Sequence, residues 1–401
     1  MKGQQTLSTM KKDTQIISAG RSKKWAPNTV NPGVTRASTV VFHNTDELKH
    51  ATQNRGDKVM FYGRRGTDTT FAFQEAISEI EGYAGTAVYP CGTAAITGAL
   101  LSFLKAGDHL LMVDTVYEPT RDFCDKMLAN LGVTTTYYDP LIGAGIEELV
   151  QQNTKVIFTE SPGSITMEVQ DIPSIVAVAK KHNIITMLDN TWGTAVNFDA
   201  SGFGIDVCVQ AATKYVVGHS DVMLGTASTT EALWPTLREQ SYLLGYCVSP
   251  DDIYLAARGL RTMSVRLKQH QQAALKIAKW IEARPEVDHL RHPAFPSNPG
   301  HEFFKRDFNG SNGLFSFVLN CGNRAAVNAM VNGMKYFKMG YSWGGFESLI
   351  MPTHDVNAIR SIKNWQADGP LIRLHIGLED VEDLIADLAA GFERFNQALA
   401  D

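Results

Sequence analysis

Two stretches, IITMLDNTW (residues 184–192) and QAATKYVVGHSDVMLGT (residues 210–226), decide how this chain is read. The first is an apolar run that ends on Asp189 and Asn190. The second leads Lys214 out of the buried-looking run VCVQAA and closes on Gly218 and Gly225. A lysine held at the end of a core strand is desolvated, which lowers its pKa and frees a neutral amine to act as nucleophile or base. Either group alone has an ordinary explanation, since most lysines are solvated surface groups and an aspartate ahead of NTWGTA can cap a helix. Two such groups at the ends of neighbouring strands fit a site, because open α/β sheets bind ligands beyond the carboxyl ends of their strands.

Outward from this pair, residues 67–260 alternate strand-like runs with helical patterns. TAVYP, HLLMVD, TTTYYD, KVIFTES and IITMLDN read as short buried strands. GTAAITGALLSFLKAG, EPTRDFCDKMLANLG and IPSIVAVAKKHN between them have helical spacing. The alternation predicts an α/β domain with a mostly parallel sheet and helices on both faces. After Gly259 a long helix candidate, two strands (GLFSFVLN, LIRLHIGLE) and a closing amphipathic helix predict a smaller C-terminal α+β domain over 261–401. Residues 1–66 are polar and irregular, with turns at APNTVNPG and YGRRG, and read as an arm that packs on another surface.

With 401 residues the chain is long enough for two domains. A net charge of −5 without a basic cluster leaves no footprint for a nucleic-acid partner. No apolar run reaches the roughly 18 residues of a membrane span, and MKGQQTLSTMKKDTQ lacks the apolar centre of a secretory signal. A cytoplasmic protein without a membrane partner is therefore expected. The five cysteines, Cys91, Cys124, Cys208, Cys247 and Cys321, are scattered and have no C-x-x-C spacing. They read as reduced thiols, with neither a disulfide frame nor a metal site. No G-x-G-x-x-G follows an early strand, which sets a nicotinamide dehydrogenase aside.

Pyridoxal phosphate needs the pair that opened this reading: a lysine to hold its aldehyde and a carboxylate to keep its ring nitrogen protonated. A phosphate cradle has a candidate in YPCGTAAITGALLSF, where Gly92 and Thr93 open a helix with free N–H groups, although an ordinary strand–helix corner looks the same. FYGRRGT supplies Tyr62, Arg64 and Arg65 in a glycine-bounded loop, a forked anion grip or a solvated basic turn. Arg373, in the otherwise apolar PLIRLHIG, needs an anionic partner, either a substrate carboxylate or an internal acid. Tyr117 follows the strand HLLMVD and is placed to stack on a planar ring or to pack in the core.

Taken in order, DVCVQAATKYVVGHSD, YGRRGT, PCGTAA, TVYEPT, TESPGSITMEVQDI, LDNTW and LIRLHIGLED resemble the pyridoxal-phosphate-dependent transsulfuration enzymes over residues 13–395. In MGYSWGGFESL, Tyr341, Ser342 and Trp343 resemble the β-eliminating branch rather than the γ-synthases and γ-lyases. The resemblance implies fold type I, the aspartate aminotransferase type, and a homotetramer built as a dimer of dimers. It implies β-elimination of L-cystathionine to L-homocysteine, pyruvate and ammonia in methionine biosynthesis, with activity on other cysteine S-conjugates within reach. A γ-type reaction or a non-catalytic protein on the same fold are the alternatives. It implies that Lys214 holds the cofactor and moves protons, with Tyr117 and Tyr62 beside it as catalytic groups. Asp189 would meet the ring nitrogen, Tyr117 would stack, and Tyr117 is a candidate to deprotonate the substrate amine. Gly92, Thr93 and Thr213 would hold the phosphate, joined by Tyr62 and Arg64 from a neighbouring subunit. Arg373 would grip the substrate carboxylate, Ser342 would orient Lys214, and Tyr341, Trp343 and Arg65 would shape the substrate side. Where many relatives carry a phosphate-binding serine, this chain has Ala211, so that contact is missing or replaced.

Overall fold

The computed structural model describes residues 10–353, 355–362, 365 and 369–400; residues 1–9 of the expected arm lie outside the described residues. Seven strands form the larger sheet: β1 (Gly85–Tyr89), β2 (His109–Val113), β3 (Thr134–Tyr138), β4 (Thr154–Glu160), β5 (Ile185–Asp189), β6 (Val207–Gln210) and β7 (Gly225–Thr229). Their order is β1-β7-β6-β5-β4-β2-β3. The run from β3 through β6 is parallel, and β7 pairs antiparallel with both β6 and β1. The sheet is thus mostly parallel, as the alternation predicts.

Alternate residues show why helices cover both faces. Ala87 and Tyr89 of β1 belong to the apolar cluster that holds the helix Gly92–Phe103, whereas Val88 between them packs with the helix Asp68–Glu81. Met187 and Leu188 of β5 divide in the same way. β7 has no place in the sequence reading because GTAST carries neither large apolar residues nor alternation. All five of its residues are nonetheless buried. Small side chains are what the packing requires there, since a Cβ on Gly225 would sit 2.2 Å from the carbonyl oxygen of Cys91.

The second sheet has four antiparallel strands in the order β10-β11-β9-β8: β8 (Val287–Arg291), β9 (Leu314–Leu319), β10 (Leu349–Thr353) and β11 (Leu371–His375). β9 and β11 lie where the sequence places them. The edge strands β8 and β10 carry no strand signal because VDHLR is polar and LIMPT holds a proline, which is tolerated at an edge. Phe315, Phe317, Ile372 and Leu374 face a core closed by the helices Met263–Glu282 and Val381–Ala400. Leu371 belongs to a separate cluster on the other face. Arg373 and His375, in phase with Leu371, therefore point away from the helices.

From Met10 to Gly66 the chain has two short α-helices, a single 3-10 turn at Gly63–Arg65 and a largely exposed extended stretch over 28–44. Val30 and Val41 are 68% and 81% exposed, too much for apolar residues that pack on their own chain. Among the described residues no helix is long and apolar enough to cross a membrane.

Candidate active site

A cavity of about 340 Å³ opens beyond the carboxyl ends of β4, β5 and β6, and Arg373 of β11 and the 341–343 segment close its other side. The pairing register sets its floor. Glu160 pairs with Asp189, and Asp189 with Val209, so three neighbouring strands end level. Asp206 fixes this alignment by accepting both the N–H and the hydroxyl of Thr186 at 2.9 Å.

Lys214 lies four residues past β6, in a tight turn. Its N–H donates to Ala211 O at 3.0 Å and its carbonyl accepts from Gly218 N–H at 2.7 Å. The amine Nζ donates to Ser342 Oγ at 2.5 Å and sits 5.4 Å from the Trp343 ring centre. Burial, then the nearby Arg373 guanidinium, lowers its pKa to about 8, against the pull of Asp189. Roughly a tenth of the amine is then neutral at pH 7, several hundredfold more than for an ordinary lysine.

Asp189 is 8% exposed. Thr191 donates its N–H at 2.9 Å and its hydroxyl at 2.5 Å, both to Oδ1, which leaves Oδ2 for a group in the cavity. Burial raises this carboxyl above the usual range even against the Thr191 bonds and Lys214, so a cationic ring nitrogen opposite Oδ2 is the partner that would favour its ionised form.

At the start of the helix Gly92–Phe103, the N–H groups of Ala94 and Ala95 return to Cys91. No acceptor among the described residues takes the N–H of Gly92 or Thr93. A Cβ on residue 92 would lie 2.5 Å from the Ala211 methyl, so glycine is what lets the two turns meet. Thr213 lines the same end, but its hydroxyl donates to Leu224 O at 3.1 Å and accepts from Leu224 N–H at 2.9 Å. It would reach a phosphate only by exchanging those bonds.

Tyr117 lines the cavity at the start of a short helix and is 45% exposed. Burial, then the nearby Glu160 carboxylate, raises its phenol above the usual value, so it is protonated at neutral pH and suits stacking and donation better than acting as a base. Arg373 is partly buried, and its Nη2 donates to Ser342 O at 3.3 Å. Among the described residues it has no carboxylate partner, so of the two anions open to it the internal one is missing. Tyr341 is 88% exposed at the rim, beside Ser342 and Trp343.

Tyr62, Arg64 and Arg65 do not join this cavity within one chain. Arg64 Nη1 donates to Tyr242 O at 2.7 Å. Arg65 lies over the Tyr242 ring at 4.2 Å and faces Glu239 at 3.8 Å, while Tyr62 stays 43% exposed. Two residues that the sequence reading passed over do line or support the site. Glu160 ends KVIFT as Asp189 ends IITML, so the same signal could have found it. Its Oε2 accepts the Tyr117 N–H at 2.8 Å, and burial, with Asp189 beside it, pushes its carboxyl well above the usual range. His375, at the end of LIRLH, supports the site through Gly344 and Gly345, which its Nε2 meets at 3.1 Å.

An amine, a buried carboxylate and a helix-start anion cradle around one cavity, opposite an arginine with no acid partner among the described residues, are the donor set of a pyridoxal-phosphate enzyme acting on an amino acid. The chain matches the model of the Cys/Met metabolism PLP-dependent enzymes over residues 13–393, and it belongs to that family. It is 53% identical over 395 residues to cystathionine beta-lyase MetC of Escherichia coli (strain K12), covering 97% of this chain and 100% of that protein. It is 52% identical to cystathionine beta-lyase of Salmonella typhimurium, covering 95% and 98%. Among solved structures, cystathionine gamma synthase from Xanthomonas oryzae pv. oryzae in complex with cystathionine superposes with a TM-score of 0.88 at 30% identity, covering 97% of this chain and 99% of that one.

Proposed function

We propose that this enzyme is a carbon–sulfur lyase that cleaves L-cystathionine to L-homocysteine, pyruvate and ammonia, a step of methionine biosynthesis. The observation that carries the reading is Arg373, a partly buried cation with no acid partner among the described residues, which lines one cavity with Lys214 and Asp189. Two relatives above 50% identity named cystathionine beta-lyase support the β-position of cleavage.

Bound pyridoxal phosphate supplies an electron sink conjugated with the substrate α-carbon. Asp189 Oδ2 would hold the proton on its ring nitrogen, and Tyr117 would stack against its ring. The N–H groups of Gly92 and Thr93 would hold its phosphate at the positive end of their helix. Arg373 binds the substrate α-carboxylate and so turns the Cα–H bond toward Lys214. As a free neutral amine, Lys214 Nζ would take the Cα proton and later return a proton to the departing homocysteine sulfur. Ser342 Oγ keeps Nζ on the cavity side between these transfers. Tyr341 and Trp343 border the space for the distal half of the thioether, which leaves room for other cysteine S-conjugates.

The exposed arm suits a homotetramer in which residues 1–66 bring Tyr62 and Arg64 to a neighbour's phosphate site, with Arg65 near its substrate. In this organisation 67–260 forms the cofactor domain and 261–401 the C-terminal domain. Five unpaired cysteines suit a reducing compartment, the cytoplasm. The test is to incubate the yellow protein with cystathionine and assay pyruvate and free thiol together. Formation of 2-oxobutyrate in place of pyruvate would reassign it to the γ reactions. Mixing an Arg64→Ala protein with a Lys214→Ala protein should restore part of the activity through hybrid dimers, and no recovery on subunit exchange would refute the shared site.

A further inference from the structure

We propose that His375 is a positioning residue for proton transfer at Lys214, acting through the Gly344–Gly345 segment to hold Ser342 against the lysine amine. The proposal rests on the lyase reading above. β11 presents Arg373 and His375 on one face, and each meets the 341–345 segment, one on either side of Trp343. Arg373 Nη2 donates to Ser342 O at 3.3 Å. His375 Nε2 lies 3.1 Å from Gly344 N and 3.1 Å from Gly345 O. Whichever tautomer the ring holds, Nε2 bonds to this segment, as acceptor from Gly344 N–H or donor to Gly345 C=O. The strand thus pins the segment at two points.

The segment needs pinning. Ser342 has a φ of +82° and Gly344 a φ of +88°, and for serine that conformation persists only where its surroundings impose it. A Cβ on Gly344 would lie 3.0 Å from the Lys214 backbone, so the segment rests directly on the lysine turn. The other end of the segment is tied by Ser220 Oγ, which donates to the Glu347 carboxylate at 2.6 Å. His375 is itself fixed. It is 1% exposed, with the His270 ring 5.3 Å away and the Tyr215 ring 6.1 Å away. Burial, reinforced by His270, lowers its pKa to about 3, so it stays neutral and keeps an acceptor. Among the described residues its Nδ1 has no hydrogen-bond partner, so its hold on the structure is through Nε2.

The experiment compares His375→Phe, His375→Gln and His375→Asn holoenzymes with the parent. His375→Phe keeps a ring and removes both bonds, and kcat for pyruvate release should fall about tenfold to a hundredfold with KM changing far less. The pH midpoint of the resting visible band should also move, because Ser342 no longer restrains Lys214; this readout needs no substrate. His375→Gln places its amide where Nε2 was and should restore kcat and the band. Parental kcat and band in His375→Phe, or equal losses in Phe and Gln variants, would overturn the proposal. If His375→Phe does not fold, Gln and Asn decide: Asn places its amide at Nδ1, so kcat should fall in Asn and hold in Gln, and equal values overturn the idea. A parent that releases no pyruvate from cystathionine would instead refute the lyase reading and leave the band comparison standing.

Discussion

The seven-stranded sheet meets the cavity with strand ends, and the four-stranded sheet meets it with the side of one strand. The large sheet supplies Asp189, Glu160 and the Lys214 turn, each at or just past the end of an apolar run. The small sheet supplies Arg373 and His375 from within β11, alternating with Ile372 and Leu374 of the second core. Strand ends leave backbone groups unpaired and tolerate charge, so they suit the parts that hold a cofactor. The side of a paired strand is rigid, so it suits the parts that fix substrate angle and loop geometry.

Changes on the two sides should therefore fail differently. The largest loss is expected for Lys214→Ala, with pyruvate release falling about 10⁴-fold or more while the circular dichroism melt holds. Substantial turnover in that variant would remove the lysine from the mechanism. Asp189→Asn follows, about 100-fold to 1000-fold in kcat, with the shape of the site retained. On the other side, Arg373→Met should lower kcat/KM about 100-fold, mainly through KM. A loss confined to kcat would mean that Arg373 does not bind the carboxylate and that the division between the sheets is wrong.

Arg373→Met sharpens the comparison again through Lys214. In cofactor-free protein, trinitrobenzenesulfonate should label Lys214 with a midpoint near pH 8, because burial and then Arg373 favour the neutral amine. Removing the guanidinium charge removes the second cause, so the midpoint should rise in Arg373→Met; a fall would contradict the sign. A last effect is on stability, where the two sides join. Asp114, just past β2, accepts from Arg121 at 2.6 Å and from the Ser361 N–H and hydroxyl at 2.9 and 2.8 Å. Asp114→Ala strands a buried arginine and should cost about 3 kcal/mol in urea unfolding. A cost near zero would mean that residues 360–362 are not held by this acid.

The cofactor side of the site was legible because a charge that ends an apolar run is a local event. Asp189 and Lys214 show it, and Glu160, at the end of KVIFTE, shows it too. Arg373 was legible as a charge inside an apolar strand, but its partner was not: a substrate carboxylate and an internal acid predict the same residue. Thr213 shows the opposite limit. Its position at the cavity follows from the motif, while the commitment of its hydroxyl to Leu224 depends on a backbone eleven residues away.

By itself the sequence determined the alternation that makes the large sheet, the apolar phases of β9 and β11, and the amine–carboxylate pair. These depend on hydrophobic periodicity and on neighbours along the chain. Only the tertiary structure decided that β7 runs antiparallel between β1 and β6, that Arg64 and Arg65 turn to Tyr242, and that His375 bears on a segment some thirty residues away. Small residues and polar loops carry no periodic signal. Their places are set by close backbone approach and by hydrogen bonds that form only once distant strands are packed.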